Sequence, residues 1–401
     1  CIDYAKEQNI TIRKNRITAV STQIDVKTAK AALFPSLSFS TGHQVVNRPY
    51  QETSSRVSGS EIISSNSKTS YNGNYGLNAS WTLYNGNKRL KTIQQEKLNN
   101  QMAELDVATS ENNIQESIAQ VYIQILYAAE SVKVNENTLQ VSIAQRDRGQ
   151  ELLNAGSIAK SDLAQLEAQV STDRYQLVTA QATLEDYKLQ LKQLLELDGE
   201  NEMNIYLPAL SDENVLAPLP TKRDVYISAL SLRPEIEASK LNVEASELGI
   251  NIAKSSYFPT ISLSAGIGTN HTSGSDFTFG EQVKNGWNNS IGLSVSVPIF
   301  NNRQTKSAVQ KAKLQYETSM LSLLDEQKAL YKTIESLWLD ANSAQQRYAA
   351  ANEKLKSTQI SYELISEQFN LGMKNTVELL TEKNNLLQAQ QEQLQAKYMA
   401  I

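Results

Sequence analysis

The chain has 401 residues, a formal net charge of -5, 40% hydrophobic residues and one cysteine. Its length and apolar content suffice for a sizeable core, while the acidic balance and the lack of any lysine-arginine block exclude a general attraction for nucleic acid. A single thiol excludes internal disulfides and cysteine-based zinc sites, and no run of about 18 apolar residues offers a transmembrane helix. The chain opens with neither a methionine nor a signal-peptide pattern, so it reads as a processed or trimmed product.

In chain order, residues 2 to 33 predict a helix that Pro35 stops, because the residue before a proline is pushed out of the α region. "SLSFS" at 36 to 40 alternates apolar and small polar residues, the period of a strand. The serine- and asparagine-rich stretch from Asn47 to Asn74 predicts a long solvated loop, and "LNASWTL" at 77 to 83 a second strand. Asn87 is the expected N-cap of a helix running to Leu153. Within it Ile114, Ile118, Val121, Ile125, Ala128, Val132 and Leu139 step by four and three, with Asn135 at the one polar position, which makes a heptad seam. Such a helix is about 100 Å long and must pack lengthwise on something. After an interruption at Gly156 a helix is expected over 161 to 197, and then a linker over 200 to 220. A helix over 222 to 257 stops at Pro259, and "ISLSAGI" at 261 to 267 predicts a strand. A shorter loop over roughly 268 to 286 leads to a strand in "IGLSVSV" at 291 to 297. Asn302 is the expected cap of a second long helix ending at Phe369, and Gly372 separates it from a last helix over 377 to 401.

The same order of elements occurs twice. "AKAALFPSLS" (29 to 38) returns as "AKSSYFPTIS" (253 to 262), and "YGLNASWTLYNGN" (75 to 87) answers "IGLSVSVPIFNNR" (291 to 303). Gly76 and Gly292 are separated by the same 216 positions as Gly156 and Gly372. No residue is inserted between them, because one insertion would rotate every later apolar face by about 100°. The expected organisation is a first repeat over 1 to 199, a linker over 200 to 220 and a second repeat over 221 to 401. The short helices of the first repeat, 32 and 37 residues, match its long helix when stacked end to end. Those of the second, 36 and 25, fall short, which implies missing C-terminal residues.

Four strands cannot close on themselves and leave two open edges. If their apolar face meets lipid and their Ser, Asn and Thr face meets water, they are staves of a barrel that closes across subunits, twelve strands from three chains. A soluble β-layer packed on its own helices is the alternative.

The duplication, "FPSLS" and "FPTIS" at helix-to-strand junctions, "NAGSIAKSDLAQLEAQ" with "NLGMKNTVELLTEKNNL", and the opening "CIDYAKEQN" together resemble the TolC-like outer-membrane efflux proteins. The resemblance covers essentially the whole chain and rests on joint order and spacing. It implies a mostly α fold with a β-barrel portion: a long antiparallel coiled-coil helical barrel, plus four strands per protomer in a 12-stranded trimeric transmembrane barrel. It implies a homotrimer in the Gram-negative outer membrane, in contact with lipid and reaching into the periplasm. There it would serve as the exit duct of a tripartite efflux or type I secretion system, with a periplasmic adaptor and an inner-membrane pump of RND or ABC type. The interrupting glycines would then lie at hairpin tips that dock the adaptor: Asn154, Ala155, Gly156 and Ser157 in the first, Asn370, Leu371, Gly372 and Met373 in the second. Ala155 and Ser157 are smaller than the apolar residues often seen there.

By the same resemblance the second hairpin is the inner one, so that three copies of Glu378 would ring a constriction. Thr381 stands where a second acidic ring is often present. Lys374 would latch the inner hairpin to the outer through Asp162 and Ser161, and Phe369 would narrow the duct further. From the residues alone, Asp162 and Glu378 have a simpler role as carboxylates in a first helical turn. Some relatives carry an acylated N-terminal cysteine, but Cys1 would lie about 48 Å along the first helix from the strand start at Pro35, and an ordinary helical cysteine is expected. The two histidines, His43 and His271, have no nucleophile or metal-type spacing around them. No catalytic residue, cofactor or metal is therefore expected. A soluble coiled-coil scaffold without a pore remains the rival function.

Overall fold

A computed structural model describes residues 1–50, 54–58, 61–65, 68–198, 205–206, 208, 215–275 and 277–401, with side chains omitted for 54–58 and 61–65. The first half runs α1 (Ile2–Gln8), α2 (Ile10–Ala31), β1 (Ser36–Asn47), β2 (Ser54–Ser58), β3 (Glu61–Ser65), β4 (Thr69–Asn85), α3 (Lys88–Asn154) and α4 (Lys160–Leu194). The second runs α5 (Lys222–Leu232), α6 (Pro234–Lys254), β5 (Thr260–Thr272), α7 (Phe279–Asn285), β6 (Asn288–Ser296), α8 (Gln304–Asn370) and α9 (Thr376–Ala400). The chain divides into two compact units, one of residues 1–17, 104–237 and 324–401, the other of residues 18–103 and 238–323. The division falls inside α2, α3, α6 and α8.

In the second of these units β1, β4, β5 and β6 form one antiparallel sheet in that order. Register aligns like with like. Ser38, Asn78, Gly266 and Ser290 form one row of small polar residues and glycine; the next row, Leu37, Ala79, Ala265 and Ile291, is apolar. Successive rows face opposite sides, so the sheet has one apolar and one polar face. Among the described residues most of its apolar side chains lack cover: Leu37 is 70% exposed, Phe39 68%, Ile291 83% and Leu293 65%. β1 and β6 are open edges. At the entry to β1 the Trp81 indole donates to Leu33 O at 2.7 Å and Arg89 donates to Ala32 O. Gly86, at φ +66°, makes the turn into α3, where a β-carbon would stand 2.6 Å from Ser255 O.

Five local expectations are corrected. The stretch from Asn47 to Asn74 is not all loop: β4 begins at Thr69, and β2 pairs with β3 in a separate two-stranded ribbon. The stretch after Ile267 continues as strand to Thr272 and contains α7, capped by Thr278 and Glu281. The helix expected over 2 to 33 is broken at Asn9, whose side chain accepts from Thr11 N at 2.9 Å and restarts the helix. The one expected over 222 to 257 is likewise broken at Arg233, in extended conformation before Pro234 as prolines require. Asn87 and Asn302 do not cap with their side chains. Both have positive φ, +64° and +51°, in the turns that precede the long helices, and Arg89 N donates instead to Asn85 Oδ1 at 3.4 Å.

In the other unit the heptad seam of α3 supplies part of the core: Ile118, Ile125, Ala128 and Leu139 are buried, with Ala5 of α1 and Leu191 of α4 clustered with Ile118 and Ile125. Asn135, the polar seam residue, is buried and satisfies its amide on Ser131 O at 2.8 Å. α3 and α4 form one helical hairpin, α8 and α9 another.

Candidate functional site at the hairpin tips

Each hairpin turns on a glycine. Gly156 and Gly372 have φ of +75° and +73°, the left-handed conformation that a β-carbon disfavours. Ser157 N donates to Leu152 O and Gly156 N to Leu153 O at 2.8 and 2.9 Å; Met373 N to Gln368 O and Gly372 N to Phe369 O repeat both bonds at the same distances. These are Schellman closures, which satisfy carbonyls left open at a helix end. Around them Asn154, Ala155, Ser157, Asn370, Leu371 and Met373 are exposed, with Leu371 at 74% and Met373 at 70%.

The next helix begins with a carboxylate in each tip. Asn375 Oδ1 accepts from Glu378 N at 2.9 Å while Glu378 Oε2 accepts from Asn375 N at 3.2 Å, a reciprocal capping box. In the first tip Asp162 Oδ2 accepts from Ala159 N at 3.0 Å, and Ala159 has no side-chain oxygen to return the bond. A cavity of about 380 Å³ is lined from both tips, by Ile158, Asp162, Phe369, Lys374, Thr376 and Glu378 among others. Within it Lys374 Nζ meets Glu378 Oε1 at 2.6 Å. That hydrogen bond, and the amide of Asn375, hold the Glu378 carboxyl below its usual range. The Thr376 hydroxyl, 1% exposed, has no partner among the described residues.

The expected gate residues are thus assembled in part. Lys374, Asp162, Glu378 and Phe369 share one cavity, whereas Ser161 is exposed and does not line it. Lys374 engages Glu378, four residues along its own hairpin, instead of Asp162 or Ser161. Phe369 is 3% exposed, enclosed between the tips instead of projecting into open space. An apolar ring beside two capped helix ends is better covered than left in water.

Sequence reasoning missed a second constellation. Lys383 of α9 reaches both Asp173 of α4 and Ser142 of α3, and Ser142 also donates to Asp173. Gln169 Nε2 donates to the remaining Asp173 oxygen at 2.8 Å. Lys383, Asp173 and Ser142 are 3%, 1% and 2% exposed. Burial pushes the Lys383 ammonium pKa down, against the hydrogen bond and charge of Asp173. A serine beside a lysine pairs a nucleophile with a base, but at this depth the contact ties the hairpins together. The signal was present in sequence: Lys383 stands four residues after Leu379 and four before Leu387, and Asp173 three after Val170, both at buried positions of their helices.

Duplicated hairpins on long helices with a bifacial sheet coincide with a match to the model of the outer membrane efflux protein family over residues 1–196 and 225–400. The chain belongs to that family. Among outer membrane efflux proteins, BepC of Brucella suis is 24% identical over 293 residues, 73% of this chain and 61% of the relative. The outer membrane protein TolC of Escherichia coli K12 is 24% identical over 289 residues, 70% and 57% of the two chains. The match thus spans about six tenths of the length of these curated relatives. A solved structure of CusC superposes with a TM-score of 0.83 at 19% identity, covering all of this chain and 88% of the other. At that identity the likeness is one of fold: mostly helical, with a small four-stranded antiparallel sheet.

Proposed function

We propose that the chain is the outer-membrane component of a tripartite efflux or type I secretion system, a passive channel-tunnel without catalytic activity. Three copies close twelve strands into a barrel through lipid, and the halves 1 to 199 and 221 to 401 are two copies of one structural unit joined by the segment 200 to 220. The observation that carries this reading is the sheet, with an uncovered apolar face, a polar face of serine, asparagine and glycine, and two open edges. Apolar surface of that kind needs lipid, and open edges in lipid need pairing. Further support comes from α2, where Ile10, Ile17 and Ile24 repeat every seven residues and are 50 to 70% exposed, a seam left uncovered by the described residues. The exposed tip residues Asn154 to Ser157 and Asn370 to Met373 dock a periplasmic adaptor that links to an inner-membrane pump of RND or ABC type. Lys374, Glu378, Asp162, Ser161 and Phe369 control the entrance.

The test is detergent extraction from outer membranes, followed by mass measurement of the protein-detergent complex and planar-bilayer recording. A trimer with discrete conductance steps is expected. A monomer that is monodisperse in buffer without detergent would instead support the soluble scaffold.

A further inference from the structure

The chain contains two histidines, and strand register sets them in one row. His43 of β1 pairs with Gly73 of β4, and Gly73 pairs with His271 of β5. Residues opposite one another in register project from the same face. The middle member of this row has no side chain, so both imidazoles lean into the space above it. A methyl carbon placed on Gly73 would lie 2.5 Å from His271 Nδ1 and 3.2 Å from His43 Nδ1. The two nitrogens are therefore within about 5.7 Å of each other, the sum of those distances. The ring centroids are 6.5 Å apart. His271 Nδ1 is shielded from solvent and has no hydrogen-bond partner among the described residues. The Tyr71 hydroxyl lies 2.8 Å from His43 Nδ1, and Thr41 Oγ1 is 3.2 Å from His43 Nε2. Tyr75 and Phe279 pack on the His271 ring.

We propose that His43 and His271 form a bis-imidazole site for a divalent late-transition-metal ion such as Cu²⁺, Ni²⁺ or Zn²⁺, one per chain. Neutral imidazole is a favoured ligand of these ions. Metal-nitrogen bonds of about 2.0 to 2.1 Å allow the two nitrogens to be at most roughly 4.2 Å apart, so the rings must close by about 1.5 Å at most. His43 is exposed and can turn to do so. Ligation through Nδ1 leaves the His43 Nε2 contact with Thr41 intact, the kind of outer contact that orients a ligating imidazole. Among the described residues no three His, Cys, Asp or Glu side chains gather at one point, so the Tyr71 oxygen or water completes the coordination and the site is of moderate strength. Gly73 is part of the device, because any β-carbon there occupies the space of the ion. All these residues lie in one unit of one chain, on the same face of the sheet as Leu37 and Ala265 and at the end of β1 and β5 remote from Pro35 and Pro259, so that in the proposed barrel the site faces outward near the rim.

The test uses untagged, metal-stripped full-length chain in detergent, with Cys1 alkylated because its exposed thiol competes for metal. Titration with Cu²⁺ followed by electron paramagnetic resonance, and with Ni²⁺ by calorimetry, should give one ion per chain and hyperfine splitting from two imidazole nitrogens. Outer contacts of metal ligands alone are worth 10- to 100-fold, so His43→Ala and His271→Ala should each weaken binding by at least about tenfold. Gly73→Ala should do the same while its circular dichroism stays that of the wild type. Failure of the wild-type chain to bind any of these ions would overturn the proposal without reference to any variant. So would binding that survives the double His43→Ala/His271→Ala substitution, or full affinity in a folded Gly73→Ala chain.

Discussion

Two lysines nine positions apart each meet a carboxylate, and the two contacts differ in nearly everything else. Lys374 and Glu378 lie on one hairpin, with side chains 33% and 40% exposed. Lys383 and Asp173 lie on different hairpins, with side chains 3% and 1% exposed, and share their charges with Ser142 and Gln169. Water can replace either member of the first pair at little cost, whereas neither member of the second can lose its partner without leaving a charge in a dry interior. The chemistry is the same; burial decides which contact can be exchanged and which fixes the hairpins against each other. In the channel proposed above, the first contact would be the replaceable one at the tips and the second the fixed one behind it.

The largest effect should come from Lys383→Met, which leaves Asp173 buried and unpaired. A loss of about 3 to 5 kcal/mol is expected, read from denaturant unfolding followed by helical circular dichroism in detergent. A loss within the error of that assay would break the comparison, since the two lysines would then be energetically alike. Lys383→Met/Asp173→Leu should recover most of the loss, because an apolar pair of similar volume replaces a buried ion pair at small or no net cost. Ser142→Ala removes one hydrogen-bond partner and no charge, and should cost about 1 to 3 kcal/mol in the same assay.

Sequence pattern revealed the fold wherever the signal was local. Period two in "SLSFS" and "LNASWTL" located β1 and β4, and the two long helices were placed to within one residue at either end, because polar turn residues at Asn87 and Asn302 and glycines at 156 and 372 bracket them. Pairings across the chain were not legible. The histidines are 228 positions apart and meet only through the register of β1, β4 and β5. The buried lysine was legible in principle, as a charge at a seam position, but only Lys374 was singled out, and the partner assigned to it came from resemblance. In the structure the nearer acid on the same hairpin holds it, since a contact four residues along needs no second hairpin in place. The break at Asn9 escaped because asparagine in mid-helix is only weakly unfavourable and acts here through its side-chain cap.

The smallest effect on stability, and the sharpest contrast with Lys383, belongs to the tip. Lys374→Ala should leave the unfolding midpoint unchanged within error, and should raise conductance in planar bilayers if the contact restrains the entrance. The pH dependence has a definite sign. The folded-state pKa of Glu378 is depressed, first by the Lys374 hydrogen bond and then by the Asn375 amide. The contact is therefore complete above the ordinary carboxylate value and is lost as pH falls through the depressed one. Acidification across that interval should bring wild-type conductance toward that of Lys374→Ala, and the variant, already lacking the lysine, should change less. Wild-type and variant conductances that stay equally far apart down to the lowest pH would show that Lys374 acts at the entrance through some group other than Glu378.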